Sequence, residues 1–145
     1  MSSEPNILAF VSGSKEEIKK QKSEIKEYCK KRYDTTIPDN KFISEWVALE
    51  KELKDKGYII ITDVRVFSDD YNELAGKLFF LMIEHQNFVE PVDKKQYEKL
   101  KSYQPGNYPK ALLMNEGHKK RMLVGLEKIC REILKGDDNP TTQTT

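Results

Sequence analysis

The chain has few of the features that staple or anchor a small protein. Its two cysteines, Cys29 and Cys130, lie far apart and form no CxxC pair, so both are predicted to be reduced and buried rather than in a disulfide framework or a zinc knuckle. The longest apolar run, residues 78–83, is far too short to span a bilayer. The first six residues are polar and lack the pattern of a signal peptide. We therefore expect a cytoplasmic location and no membrane contact.

A strong excess of charge of one sign is also absent. Lysine and arginine number 25, and aspartate and glutamate number 24, which gives a formal net charge of +1 although 34% of the residues are charged. Interleaved charges lack the global signature of a nucleic-acid-binding protein. The composition therefore does not decide the partner, and it leaves room for a local basic patch.

The chain does contain an alternation of short apolar runs and amphipathic segments. Its 145 residues suit one domain. Strands are predicted over residues 6–11, 58–62 and 88–92, with a short one within 33–43. Helices are predicted between them, and helices that alternate with buried strands favour a parallel sheet. The predicted fold is α/β, a three-layer fold with a four-stranded, mostly parallel sheet and a C-terminal amphipathic helix.

Three serines are predicted to begin helices. Ser14, with Glu17 three residues later, forms the capping-box pattern at the start of the first helix. Ser44 is predicted to cap a second helix that ends at Gly57. Ser68, which is followed by two acids, is predicted to cap a third helix.

The pattern changes after residue 92. A polar helical segment over 93–103 and a loop over 104–109 precede a last amphipathic helix, which begins near residue 108 or 116 and ends near 135. We divide the chain into an α/β core over 1–92 and a helical extension over 93–135 that packs on the core or on a partner. Residues 136–145 are predicted to be a disordered tail.

Residues 8–21, LAFVSGSKEEIKKQ, resemble the opening of the serine recombinase (resolvase/invertase) catalytic domain. That family begins with a strand of roughly Y-A-R-V-S-[ST], followed by a helix with a glutamine at this distance. The strand near Gly57 and the helix near Ser68 fall where the family has its third element, so the resemblance covers about residues 5–92 and implies a resolvase-like three-layer fold. It implies that Ser12 holds the position of a nucleophile that attacks a DNA phosphodiester and forms a covalent 5′-phosphoserine.

The arginines that support this chemistry are missing at the matching positions. Phosphoryl transfer requires neutralised charge on the non-bridging oxygens, and the family supplies this with arginines and no metal. Here Phe10 precedes Ser12 by two residues, Ser44 lies near the place of a loop arginine, and residues 66–70 hold two acids and no arginine. The resemblance therefore implies a catalytically inactive domain that acts as a binding or assembly protein, with a phage or mobile element as its source.

An enzyme of another class is the alternative. Ser12, Gly13 and Ser14 lie between a strand and a helix, where a helix N-terminus can hold a phosphate, although a plain turn with a capping serine has the same pattern. Asp63 and Asp69 follow at the carboxyl edge of the sheet, where α/β ligands bind, and such carboxylates could hold a metal or a sugar hydroxyl. This alternative would handle a nucleotide or a sugar phosphate. No cofactor or metal is assigned to either reading.

The last helix carries basic residues beside its apolar stripe, namely Lys119, Lys120, Arg121, Lys128 and Arg131. They form either a solvated face or a contact with nucleic acid or with a second copy of the chain. In recombinases a long helix after the core forms the dimer interface and contacts DNA. We therefore predict a homo-oligomer or a protein partner, with nucleic-acid contacts through this helix.

Overall fold

The computed structural model describes residues 6–54 and 56–136 and contains one four-stranded sheet in which all strands are parallel. Its strands are β1 (Ile7–Phe10), β2 (Phe42–Ile43), β3 (Tyr58–Ile61) and β4 (Phe88–Pro91). The order across the sheet is β2-β1-β3-β4, so β4 lies at one edge. The α/β prediction is confirmed, and the sheet is entirely rather than mostly parallel.

Five α-helices surround or flank the sheet: α1 (Lys15–Tyr33), α2 (Trp46–Glu52), α3 (Tyr71–Leu78), α4 (Lys94–Leu100) and α5 (Glu116–Gly136). A π-helical segment, Phe79–Glu84, continues α3. Short 3₁₀ segments occur at Asp39–Lys41, Val64–Val66, Lys101–Tyr103 and Lys110–Met114. Within the described residues, no helix combines the length and the apolar character that crossing a membrane requires. The tail predicted to be disordered lies outside the described residues, apart from Gly136, which ends α5.

The capping box of α1 is confirmed, because the Ser14 and Glu17 side chains each accept a hydrogen bond from the other residue's backbone N–H. The other two predicted caps are wrong. Glu45 is the N-cap of α2 and makes no side-chain capping bond. Asp70, two residues after Ser68, is the N-cap of the third helix. Its carboxylate accepts a hydrogen bond from the Glu73 N–H.

The two faces of the sheet are covered unequally. Alternate side chains of a strand point to opposite faces, and Ile7, Ala9 and Ile60 pack with α1 in one apolar cluster. The opposite face packs with α2, α3 and α5 in a larger cluster. A single helix about 10 Å wide cannot cover four strands spaced about 4.8 Å apart. A groove therefore remains between α1 and α4 above the edge strand β4.

The apolar stripe of α5 is buried in the chain's own core. Met122, Leu126, Cys130 and Ile133 lie in the larger cluster, and α5 packs mainly on α3. The stripe is thus covered within one chain rather than left open to a second subunit. Cys130 and Cys29 are both buried free thiols, which confirms the prediction made for them.

The outer edge of β4 is covered by a side chain instead of a fifth strand. The Gln104 amide oxygen accepts a hydrogen bond from the Val89 N–H at 3.1 Å, and its amide nitrogen donates to the Val89 carbonyl at 2.7 Å. Gln104 is buried. One glutamine therefore supplies the donor and acceptor that a neighbouring strand would offer at this residue.

Candidate functional site

Ser12 follows β1 and is fully engaged by its surroundings. Its hydroxyl donates to the Val66 carbonyl at 2.9 Å, in the segment after β3. Its N–H donates to Gln21 Oε1 at 3.0 Å, and its carbonyl accepts from Gln21 Nε2 at 2.8 Å. The predicted nucleophile position is thus a half-buried structural junction that ties β1, α1 and the segment after β3 together.

The first turn of α1 already holds an anion from the chain itself. Glu17 Oε1 accepts the Ser14 N–H at 2.7 Å, and the Glu17 N–H donates to Ser14 Oγ at 3.2 Å. Hydrogen bonding of its carboxyl by the Ser14 backbone N–H and by the Ser14 side chain lowers the pKa of Glu17. Gly13 has a φ of +114°, and a side chain there would collide with this carboxylate. The place where the predicted phosphate cradle would receive its ligand is therefore occupied by Glu17.

Asp63 is engaged by partners other than Ser12. Asp63 Oδ1 accepts the Arg65 N–H at 2.8 Å, and Asp63 Oδ2 accepts from Gln96 Nε2 at 2.9 Å and pairs with Arg65 at 3.3 Å. Arg65 also donates to the carbonyls of Ile133 and Leu134 at the end of α5. Asp69 is exposed to solvent. Within residues 6–54 and 56–136, no three His, Cys, Asp or Glu side chains lie close enough together to hold a metal ion.

The sequence analysis missed a carboxylate that is buried in the groove. Glu90 lies in β4 and is 3% exposed. Arg32 Nε donates to Glu90 Oε2 at 2.7 Å, and the hydroxyls of Tyr28 and Tyr33 each donate to one of the two carboxylate oxygens. Three donors from the C-terminal half of α1 thus stabilise one buried negative charge.

The carboxylate also fixes the state of its neighbours. Burial, together with the hydrogen bond to Glu90 and its charge, raises the pKa of Tyr28 and of Tyr33. Both phenols therefore stay protonated and remain donors at neutral pH. The Arg32 guanidinium lies 5.4 Å from the centre of the Tyr33 ring, close enough for a cation–π contact.

The groove consists of two cavities that meet at Arg32, Glu90 and Tyr97. The larger has a volume of about 840 Å³ and lies between α1, α4 and the end of β4. The smaller, about 170 Å³, extends along β4 toward Gln104. We call this pair of cavities the β4 groove. It combines aromatic walls with a fixed guanidinium and a buried carboxylate.

The exposed side of α5 carries the second candidate surface. Helical geometry of about 100° per residue places five cations within an arc of about 100°, namely Lys120, Arg121, Lys128, Arg131 and Lys135, and all five are exposed. We call this set the α5 basic face. Arg131 also lies 4.5 Å from the centre of the Tyr71 ring. Lys119 points elsewhere and pairs with Glu116 at 3.9 Å.

Comparison of the chain with protein-family models, curated proteins and solved structures gave no match in any of the three. The case for a function therefore rests on the Ser12 junction, the β4 groove and the α5 basic face.

Proposed function

We propose that the chain is a resolvase-like domain without strand-cleaving activity that binds nucleic acid through the α5 basic face. The observation that carries this proposal is the exposed arc of five cations on a helix whose opposite side is anchored in the core. From Lys120 to Lys135 the face extends about 22 Å, which corresponds to roughly six base pairs of a duplex. Such a face suits the phosphate backbone, which supplies most of the affinity of non-specific binding.

A face on α1 that carries Lys15, Lys19, Lys22, Lys26 and Lys30 is the rival surface, and two features favour α5. Arg121 and Arg131 offer the forked geometry that binds phosphate oxygens in pairs, whereas the α1 face holds only lysines. On α1, Lys26 already pairs with Asp39 at 3.0 Å. The two faces belong to helices on opposite sides of the sheet, so substitutions can test them separately.

The lack of strand cleavage is supported by the Ser12 junction. The Ser12 hydroxyl donates to the Val66 carbonyl, and it would have to break this hydrogen bond before it could attack a phosphodiester. Arg65 precedes Val66 in the chain. Its side chain pairs with Asp63 and donates to carbonyls at the end of α5. Homo-oligomerisation stays a prediction, since the apolar stripe proposed for it lies in the chain's own core.

Binding of a fluorescein-labelled 20-base-pair duplex should depend on the α5 basic face. The pair Arg121→Gln and Lys128→Gln is expected to weaken binding about tenfold, because two phosphate contacts are lost. Wild-type affinity is expected to fall on the order of a hundredfold between 50 and 200 mM salt, and less steeply in this variant. Fluorescence anisotropy measures both effects.

The matched control is the pair Lys19→Gln and Lys30→Gln on α1, which removes the same charge from the opposite side of the sheet. Its affinity should stay within about twofold of wild type. An equal loss in both variants would show a response to net charge alone. That result, or binding that ignores salt, would contradict the proposal.

Incubation with supercoiled plasmid should yield no covalent protein–DNA complex. Wild type and Ser12→Ala are expected to give the same pattern on denaturing gels after nuclease treatment. The Ser12 hydroxyl is engaged by the Val66 carbonyl, and the arginines that the family uses to stabilise the transition state are missing at the matching positions. A labelled adduct that forms in wild type and disappears in Ser12→Ala would refute this part of the proposal.

A further inference from the structure

The β4 groove has the size and lining of a small-molecule site. Its larger cavity, about 840 Å³, falls within the range of about 300–1,000 Å³ that ligand pockets occupy. Pro91 and Val92 contribute apolar surface, and Tyr28 and Tyr97 contribute aromatic surface. The charged lining residues are three cations and two acids, Lys31, Arg32, Lys94, Glu90 and Glu98. The lining thus carries a formal charge of about +1, and the carboxylate of Glu90 already accepts hydrogen bonds from α1.

Arg32 is oriented toward this space by its partners. Glu90 takes the Nε–H, and the Tyr33 ring lies against the guanidinium. A guanidinium carries five N–H donors in a rigid fork, so donors on the terminal nitrogens are left for a ligand. The Arg32 side chain is 51% exposed. The arrangement is a pre-oriented donor pair at the junction of both cavities.

Tyr97 is an aromatic wall of the groove. It is half-buried, lines both cavities, and its hydroxyl makes no hydrogen bond with any residue that the structure describes. An aromatic ring and a guanidinium fork that line the same two cavities suit a ligand that is planar at one end and anionic at the other.

We propose that the β4 groove binds a small molecule that carries an oxyanion on a planar ring. The oxyanion contacts the terminal nitrogens of Arg32, with Lys94 at the rim, and the ring lies against Tyr97. This site is separate from the α5 basic face, so it does not depend on nucleic-acid binding. Aromatic carboxylates and aryl or nucleoside phosphates share the required chemistry.

The test is an NMR titration of the ¹⁵N-labelled full chain, followed by ¹H–¹⁵N correlation spectra. Its four probes are phenyl phosphate, benzoate, inorganic phosphate and benzyl alcohol. At least one of the first two is expected to shift the amide signals around Arg32 and Tyr97. It should bind at least about tenfold more tightly than inorganic phosphate and than benzyl alcohol, which each offer half of the recognition. Preference for phenyl phosphate identifies a phosphate ligand, and preference for benzoate identifies a carboxylate.

Two variants separate the site from general effects. Arg32→Lys keeps the charge beside Glu90 but loses the fork, and it should weaken the preferred probe about tenfold. Tyr97→Ala removes the wall without leaving a polar group unpaired, and it should weaken the aromatic probes while changing inorganic phosphate little. Lys30→Gln, on α1 but outside the groove, should bind as wild type does.

Several results would overturn the proposal. One is the absence of shifts near Arg32 and Tyr97 with either aromatic oxyanion at 10 mM. Another is inorganic phosphate binding as tightly as phenyl phosphate. The third is Tyr97→Ala, folded by its NMR spectrum, binding the preferred probe as tightly as wild type.

Discussion

Replacing Gln104 with leucine is expected to lower the free energy of unfolding by about 2–4 kcal/mol, although the two side chains are similar in size. The Val89 N–H and carbonyl would lose their partners in a site where Gln104 is 4% exposed. A buried backbone group without a partner costs about 1–3 kcal/mol. Urea unfolding followed by circular dichroism measures the loss.

Gln104→Glu is the matched variant. At neutral pH its carboxylate can accept the Val89 N–H but repels the Val89 carbonyl. A protonated carboxyl again offers one donor and one acceptor. The deficit of this variant relative to wild type should therefore shrink as the pH falls toward 4, whereas that of the leucine variant should not. A leucine variant within about 0.5 kcal/mol of wild type would show that Gln104 does not replace a strand.

Stability is expected to fall steeply between about pH 9 and pH 12. Burial, with a smaller contribution from the Glu90 charge, raises the pKa of Cys29 from 9.0 to about 11. Burial, with the Glu127 charge, raises that of Cys130 from 9.0 to about 12. The unfolded chain releases these protons at lower pH than the folded chain. The stabilisation is therefore complete below pH 9 and is lost as the pH rises through the folded pKa values.

Tyrosines that are wholly or partly buried act in the same direction. Burial is the main cause of the raised pKa of Tyr28, Tyr33, Tyr103 and Tyr108. The two thiols alone should account for about 5 kcal/mol by pH 11.

Urea unfolding at pH 8, 9.5 and 11, followed by far-ultraviolet circular dichroism, measures the alkaline decline. Cys130→Ala should be less stable than wild type at pH 8 but should lose less stability on the way to pH 11. Parallel declines in both proteins would contradict the linkage.

The fold could be predicted where the signal is local or periodic. The apolar runs gave the strands because a strand buried on both faces needs side chains of that kind throughout. The pair Ser14 and Glu17 gave the start of α1 because both partners lie within one turn. The caps at Ser44 and Ser68 were wrong because several neighbouring polar residues can begin a helix, and packing selects among them.

The groove could not be predicted, because its contacts are remote in sequence. Glu90 is 62, 58 and 57 residues from Tyr28, Arg32 and Tyr33. An acid inside an apolar strand was the one available sign, since a carboxylate that faces the core requires donors. Ser12 illustrates the opposite error. Its position between strand and helix was evident from the sequence. The hydrogen bond from its hydroxyl to the Val66 carbonyl was not, because Val66 is 54 residues away.

The unequal coverage of the sheet has an architectural consequence. A longer chain could not extend the sheet beside Val89, because the Gln104 side chain already occupies that edge. It could add a helix over the β4 side of the face that α1 leaves open, and such a helix would turn the groove into an enclosed chamber. At its β4 side, growth of this fold by insertion or fusion is thus directed out of the plane of the sheet instead of along it.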